Sequence, residues 1–142
     1  MARHELSLEP DVAGIPRLLD WIEQACTGEG LAREFIFKVA LAVEEAVVNV
    51  INHAFDGMPP PHLVEVHLDI SPARLVAEII DNGHAFDPSA EPDPDHLDLP
   101  LEERDPGGLG IHLMRGMMDS VEYRRVESRN RLRLEKARDE TP

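Results

Sequence analysis

The stretch Val43-Glu44-Glu45-Ala46-Val47-Val48-Asn49 lies inside the longest regular pattern of the chain, which extends from Leu31 to Phe55. Apolar side chains recur in this segment at the three- and four-residue spacing of a helix that packs along one side. They are Ile36, Val39, Ala40, Val43, Val47, Val50, Ile51 and Ala54. Gly57 and the prolines at positions 59–61 end the pattern, because neither residue type continues a helix. The sequence therefore predicts one long helix, and its apolar residues between positions 39 and 51 indicate that it is covered on both sides.

Two polar residues interrupt this helix. Glu45 and Asn49 are four positions apart and therefore neighbours on one face, together with the small residues Ala42 and Ala46. That face could simply be solvated. However, asparagine is a poor helix former that a water-facing position would not favour. The alternative is a site in which the side-chain oxygen of Asn49 ligates Mg²⁺ and Glu45 accepts a proton.

The segments around the long helix predict a small sheet and two further helices. A short strand at residues 4–8 and a helix from Asp11 to about Thr27 precede it. A half-buried strand at residues 64–70 and a more apolar, central strand from Leu75 to Asp81 follow it. The pattern then predicts a helix at residues 109–118. An antiparallel strand pair follows at residues 121–126 and 131–135, joined through residues 128–130. This order predicts an α+β two-layer sandwich, with a mixed, mostly antiparallel sheet and its helices on one face.

The end of the central strand carries a second polar group, in Asp81-Asn82-Gly83. Asp81 shares its parity along the strand with Ala77 and Ile79, so its side chain is expected on the same face. If helices cover that face, the carboxylate needs a hydrogen-bond donor, and an adenine amino group is one. Gly83 would let the backbone come close to a flat ring. The alternative is an ordinary turn after a strand.

The third segment is a glycine-rich loop, Gly107-Gly108-Leu109-Gly110, at the start of the last helix. Free backbone N–H groups at a helix start, with glycines that allow close approach, form an anion site. Glycines also simply end loops, so this segment alone decides nothing. No lysine and serine or threonine pair follows it, which excludes a P-loop. Residues 84–106, between the second and third segments, have no periodicity and predict a long loop.

Composition narrows the choice of partners and compartment. The 142 residues suffice for one domain, and 28 acidic against 14 basic residues give a net charge of −14, which disfavours nucleic-acid binding. Apolar runs are too short for a membrane span. The single cysteine, Cys26, cannot form an internal disulfide, so we expect a cytoplasmic protein. Seven cations cluster near the C-terminus, as a solvated strand face or a docking patch for an acidic protein: Arg124, Arg125, Arg129, Arg131, Arg133, Lys136 and Arg138.

Taken together and in this order, the three segments resemble the motifs of the GHKL ATPases, the superfamily of DNA gyrase and the histidine kinases. Glutamate and asparagine four apart form the family's N box, an Asp-x-Gly-x-x-Phe motif its first glycine box, and Gly-x-Gly its second. Residues 43–49 and 107–114 look most like the stand-alone bacterial anti-sigma-factor serine/threonine kinases. The resemblance extends from the first strand to the last. It implies a histidine-kinase-like (Bergerat) ATPase fold in a single domain, residues 1–142, with an ATP lid at about residues 84–106.

The resemblance also implies roles for individual residues. Asn49 would hold Mg²⁺ against the phosphates of ATP, Asp81 would bind the adenine amino group, and Gly83 would shape the base pocket. Glu45 would act as the base on a serine or threonine hydroxyl. The remaining nucleotide-binding positions that it implies are Arg104, Gly107, Gly108, Leu109 and Gly110. The implied partners are an anti-anti-sigma (STAS-type) protein and a sigma factor, and the implied oligomer is a homodimer.

Departures from the family pattern keep a second function open. Ala85 stands where many relatives carry a glycine, and the lid is strongly acidic, with Arg104 as its only cation. Carboxylates near a triphosphate repel it unless they stay in solvent. The first hypothesis is therefore a kinase that acts as an anti-sigma factor. The second is a nucleotide-dependent regulatory module with little or no phosphotransfer, and a detached histidine-kinase domain is a weaker third.

Overall fold

A computed structural model describes residues 2–88 and 106–138, and for residues 106–109 it describes the backbone alone. Its elements, in chain order, are β1 (Ala2–Leu8), α1 (Ile15–Gly28), α2 (Arg33–His53), β2 (Val64–Ile70), β3 (Arg74–Asp81), α3 (Pro106–Met117), β4 (Ser120–Val126) and β5 (Arg129–Ala137). A 3-10 turn, Val12–Gly14, precedes α1.

The strands form one sheet in the order β1-β2-β3-β5-β4, and every neighbouring pair is antiparallel. The strand β3 is in the middle, as its apolar sequence predicts. Its last residue, Asp81, lies opposite Val64 on β2 and Asn130 on β5. The register therefore puts a carboxylate and a carboxamide side by side at one end of the three inner strands.

The core lies between the sheet and the helices. Alternate residues of β2, at positions 64, 66, 68 and 70, are buried and join the apolar stripe of α2 in one cluster. Both α1 and α3 pack against α2, so the predicted cover on both sides of the long helix is confirmed. The α+β class is confirmed as well. None of the helices in the described ranges is long and apolar enough to cross a membrane.

Several predicted boundaries differ from those observed. The first helix is preceded by a 3-10 turn that Asp11 caps, its Oδ1 accepting from the backbone N–H of Ala13 at 2.8 Å. The last helix begins at Pro106 and not at Leu109, because proline's fixed φ and missing N–H suit a first helical position.

The connection between the last two strands was also placed wrongly. Its two turn residues are Glu127 and Ser128, both with positive φ, 52° and 65°, while Arg129 and Asn130 already belong to β5. A two-residue turn with positive φ at both positions matches the twist of an antiparallel pair. Of the predicted loop at residues 84–106, the structure describes residues 84–88 and Pro106, which already belongs to α3. Residues 89–105, and with them Arg104, lie outside the described ranges.

Candidate functional site

The polar face of α2 meets the first turns of α3 at Gly110. A Cβ atom on Gly110 would lie 3.1 Å from Oε2 of Glu45 and 3.7 Å from Oδ1 of Asn49. Ala42 and Ala46, on the same side of the helix, are buried. The two polar side chains therefore point at the backbone of α3, and a residue without a side chain is what allows that approach.

Glu45 is only partly accessible to water, and burial raises the pKa of its carboxyl. The neighbouring carboxylate of Glu44 raises the pKa of Glu45 further, because two negative charges close together disfavour ionisation,. A carboxylate of raised pKa holds a transferred proton more readily at neutral pH than an ordinary one. Glu45 thus combines a position beside the backbone of α3 with a raised pKa.

Asp81 is 3% exposed and is one of two buried polar residues in the described ranges. Its Oδ1 accepts a hydrogen bond from the backbone N–H of Gly83 at 2.8 Å and one from Nδ2 of Asn130 at 2.9 Å. Burial raises the pKa of Asp81, while these two bonds and the charge of Arg125 oppose the rise. No donor among the described residues meets Oδ2.

The other buried polar residue, Asn130, was not singled out in the sequence. Its Nδ2 donates to Asp81 and to the backbone carbonyl of His84, at 2.7 Å, and its Oδ1 accepts from Nη1 of Arg125 at 2.9 Å and from the hydroxyl of Tyr123. These four bonds fix which way the carboxamide points. Asn130 shares its strand parity with the buried Leu132 and Leu134, and that parity was the signal that could have found it.

Gly83 ties the end of β3 to the end of α2. A Cβ atom on Gly83 would lie 2.3 Å from the carbonyl oxygen of Ala54, far closer than two such atoms approach. The next residue, His84, donates its backbone N–H to the same oxygen at 2.7 Å. Arg125 donates to the carbonyl of Gly83 at 3.1 Å. In this structure the glycine is required for packing between the layers.

A small cavity joins these groups between α2 and the sheet. It is lined by Ala46, Asn49, Val50, Ala54, Ile79, Asp81, Phe86, Pro88, Tyr123, Asn130 and Leu132. Its volume of about 20 Å³ holds roughly one water molecule and is too small for a purine ring. Of the lining residues, Phe86 and Pro88 alone belong to the loop after β3.

The backbone of α3 places the remaining predicted positions of the glycine-rich loop. Gly107, Gly108 and Leu109 lie in the first turn of α3, where backbone N–H groups lack helical acceptors. His53, at the end of α2, is exposed and its ring lies 5.5 Å from that of Phe86. No group of three or more histidine, cysteine or acidic side chains in the described ranges could hold a metal ion. Such a group is not needed for Mg²⁺, which uses one or two protein oxygens together with phosphates and water.

The basic residues of the last two strands are largely compensated within the fold. Arg131 contacts Glu78 at 2.6 Å, and Arg133 contacts Glu135 at 2.9 Å. Arg124 also approaches Glu78, while Lys136 and Arg138 donate to the backbone carbonyls of Met117 and Ser71. Of the seven cations, only Arg129 has no partner among the residues that the structure describes. These contacts favour the interpretation of the seven cations as part of a strand face over their interpretation as a docking patch for an acidic protein.

The sequence of the chain is similar to those of known proteins. Residues 8–136 match the family model of the histidine kinase-like ATPase domain. The serine/threonine-protein kinase BtrW of Bordetella bronchiseptica is 33% identical over 118 residues, which cover 82% of this chain and 80% of BtrW. The serine-protein kinase RsbW of Oceanobacillus iheyensis is 28% identical over 116 residues, which cover 80% and 72%. The predicted GHKL membership is thereby confirmed.

Solved structures show the same fold. A crystal structure of the RsbU and RsbW domains of a Mycobacterium tuberculosis protein matches 98% of this chain with a TM-score of 0.69 at 11% identity, and the match spans 34% of that longer chain. The blue-light activated histidine kinase of Erythrobacter litoralis matches 75% of this chain with a TM-score of 0.53 at 19% identity. At these identities the likeness concerns the fold alone, and it confirms the predicted histidine-kinase-like ATPase fold.

Proposed function

The chain belongs to the histidine kinase-like ATPase family, and from that premise we propose that it is an Mg-ATP-dependent serine/threonine protein kinase. The observation that carries this proposal is the position of Glu45. Its carboxylate, with a raised pKa, lies beside Gly110 and one helical turn from Asn49. Nucleotide binding by itself requires no base there, whereas phosphoryl transfer to a hydroxyl benefits from one.

Asp81 and Asn49 are the nucleotide-binding side chains of this proposal, and both line the same cavity. Oδ2 of Asp81 accepts from the exocyclic amino group of adenine, with Gly83 behind the base. Asn49 offers a hard oxygen ligand to Mg²⁺. The backbone N–H groups of Gly107, Gly108, Leu109 and Gly110, with Arg104 of the lid, contact the phosphates. Mg²⁺, when bound, neutralises charge on the phosphates.

In the proposed reaction Glu45 accepts the proton of a serine or threonine hydroxyl. The hydroxyl oxygen forms a bond to the γ-phosphorus of ATP as the bond to the β,γ-bridging oxygen breaks, and ADP leaves. The proton stays on Glu45 until it passes to solvent. General-base catalysis of this kind contributes on the order of 10²–10⁴ in rate. The rest of the catalysis in phosphoryl transfer comes mainly from positioning the reactants and neutralising charge.

The proposed substrate is an anti-anti-sigma protein of the STAS type, and the proposed second partner is a sigma factor that the chain holds as an anti-sigma factor in the cytoplasm. The names of BtrW and RsbW as serine or serine/threonine kinases support this choice. We further propose a homodimer. Its contact surface includes β1, an edge strand of the sheet.

One observation favours a second function, that of a nucleotide-dependent binding module without transfer. The cavity around Asp81 is about 20 Å³, and Phe86 and Pro88 close it. A site that opens only partly could bind nucleotide slowly and turn it over little. Glu45 would then have no catalytic role.

Mass spectrometry separates the two functions. The purified chain is incubated with Mg-ATP and candidate STAS-type partners, and a single added phosphate on a partner serine or threonine is the expected result. Glu45→Ala should lower the transfer rate on the order of 10²–10⁴-fold while ATP still binds. The matched control is Glu122→Ala, which removes an exposed acid of β4 and should change nothing. Stable complexes without transfer in the unaltered chain would reject the kinase. Undiminished transfer in Glu45→Ala would instead remove Glu45 as its base.

A further inference from the structure

A second concave surface lies on the helical layer, between α1 and α2. This groove has a volume of about 650 Å³ and shares no lining residue with the cavity around Asp81. Leu19 of α1 and Ile36, Phe37 and Leu41 of α2 form its apolar floor. It is large enough to receive several side chains of another molecule.

Phe37 is the most conspicuous residue of the groove, because 65% of its surface is exposed. An exposed phenylalanine inside an apolar depression marks a contact surface more often than an isolated surface residue does. Aromatic side chains that fill such a depression commonly contribute much of the affinity at an interface. Phe37 is therefore the expected anchor of any molecule that binds here.

The rim of the groove is acidic. Glu23 of α1 and Glu34 and Glu44 of α2 line it, against one cation, Arg33. Glu34 approaches Lys38 at 3.7 Å, but its side chain remains 83% exposed. Glu23 and Glu44 have no ion pair among the residues that the structure describes. An occupant with positive charges beside an apolar stripe would complement this rim.

The spacing of the lining residues indicates the shape of the occupant. On α2 they recur at positions 37, 40, 41 and 44, and on α1 at positions 19, 23 and 27. From position 33 to position 44 the helix rises about 16 Å, or three turns. On α1 the lining positions 19–27 span about 12 Å. A groove with lining of this length on both helices accepts a short amphipathic helix.

We propose that the groove between α1 and α2 docks a short amphipathic helix of a partner protein, with its apolar stripe on Phe37 and its lysines or arginines beside Glu23 and Glu44. A second copy of this chain is the poorer occupant. A two-fold contact would set the same patch against itself, so that its carboxylates would face one another and repel. The docking needs neither ATP nor Glu45, and it therefore stands apart from the proposed transfer reaction.

The probe for this proposal is a labelled peptide of about 14 residues, four helical turns, with leucines at helical spacing and lysines beside them. A matched peptide carries glutamates in place of the lysines. Fluorescence anisotropy with the full chain should give saturable binding of the lysine peptide and at least about tenfold weaker binding of the glutamate peptide. Phe37→Ser should lower the affinity for the lysine peptide about tenfold or more, and Glu23→Gln should lower that affinity by a smaller factor.

Two control variants test whether the position of the apolar side chain and the position of the negative charge matter for peptide binding. Val12→Ser removes an exposed apolar side chain outside the groove, and Glu9→Gln removes an exposed acid outside it; neither should change the affinity. ATP binding by Phe37→Ser should equal that of the unaltered chain, which shows that the variant folds. If Glu9→Gln lowers the affinity for the lysine peptide as much as Glu23→Gln does, or if Phe37→Ser leaves that affinity unchanged, the groove is not the site. If Phe37→Ser turns a dimer into a monomer in sedimentation, a second copy occupies the groove and the proposal is wrong.

Discussion

Asp81 is a buried carboxylate that the fold holds in one orientation. Burial raises its pKa, and Asn130, Gly83 and Arg125 each oppose that rise. Because both hydrogen bonds go to Oδ1, the carboxyl group is held in one orientation with Oδ2 unpaired within the described residues.

Replacement of Asp81 by asparagine tests the adenine contact. Asp81→Asn should weaken ATP binding by about 1.5–3 kcal/mol, the range for a hydrogen bond to a charged group, as measured by isothermal titration calorimetry. The raised folded-state pKa means that the carboxyl stabilises the fold at acidic pH and that this contribution is lost as pH rises through that pKa. At neutral pH the substitution should therefore not lower the melting temperature. An unchanged affinity would remove Asp81 from the site.

Arg125 offers a separate test through pH. Arg125→Met removes the positive charge that lowers the pKa of Asp81, so that pKa should rise. Because only the ionised carboxylate accepts strongly, ATP affinity should be lost at a higher pH than in the unaltered chain when the solution is acidified. Titrations with ATP between about pH 4 and pH 8, above the ordinary aspartate pKa of about 3.9, measure the midpoint. Arg129→Met, in the same hairpin, is the control and should leave the midpoint in place.

At the scale of elements, the contact between α2 and α3 decides where Glu45 points. Gly110→Ala would put a methyl group 3.1 Å from Oε2 of Glu45, so the carboxylate must shift by a few tenths of an ångström. Since catalysis depends steeply on such positions, the transfer rate should fall about tenfold with the fold intact. Gly116→Ala, in the same helix and with nothing within 4 Å, should leave the rate unchanged. Equal rates in the two variants would contradict this account of Glu45.

The junction between β3 and α2 predicts a change in stability. Gly83→Ala would place its methyl group 2.3 Å from the carbonyl oxygen of Ala54, and relief of the overlap should cost about 1–3 kcal/mol of unfolding free energy or more. Gly28→Ala, at the last position of α1 with nothing within 4 Å, should instead stabilise by about 0.5–1 kcal/mol. Denaturant unfolding of both variants measures the difference. A tolerated Gly83→Ala would mean that the two layers are not packed as closely as described.

At the scale of the whole molecule, ligand binding should stabilise the entire fold. The cavity draws its lining from α2, β3, β4 and β5, so a nucleotide there contacts both layers. A ligand at about a hundred times its Kd adds roughly 2.7 kcal/mol to the free energy of unfolding. Mg-ATP should therefore raise the melting temperature in differential scanning fluorimetry, and the same concentration should raise it less in Asp81→Asn. No shift in the unaltered chain would contradict nucleotide binding.

The sequence by itself determined the elements and the layer to which each belongs. The apolar stripe of α2 and the alternation of apolar and polar residues along β2 both follow from burial along a single segment. Both can therefore be recognised without the rest of the chain. Asp81 is two positions from Ile79 on the same strand, and this spacing likewise predicted the face of the sheet on which its side chain lies. Glu45 and Asn49 were recognisable because a four-residue spacing on a helix fixes their neighbourhood.

Only the tertiary structure decided what these residues meet. The bonds from Asn130 and Arg125 to Asp81 and Gly83 connect segments more than forty positions apart, and no local pattern encodes such a distance. The same holds for the approach of Gly110 to Glu45, and for the 65% exposure of Phe37, which lies in an otherwise ordinary helical sequence. Local periodicity reports which side of an element is buried, whereas the partner on that side depends on sheet order and helix packing.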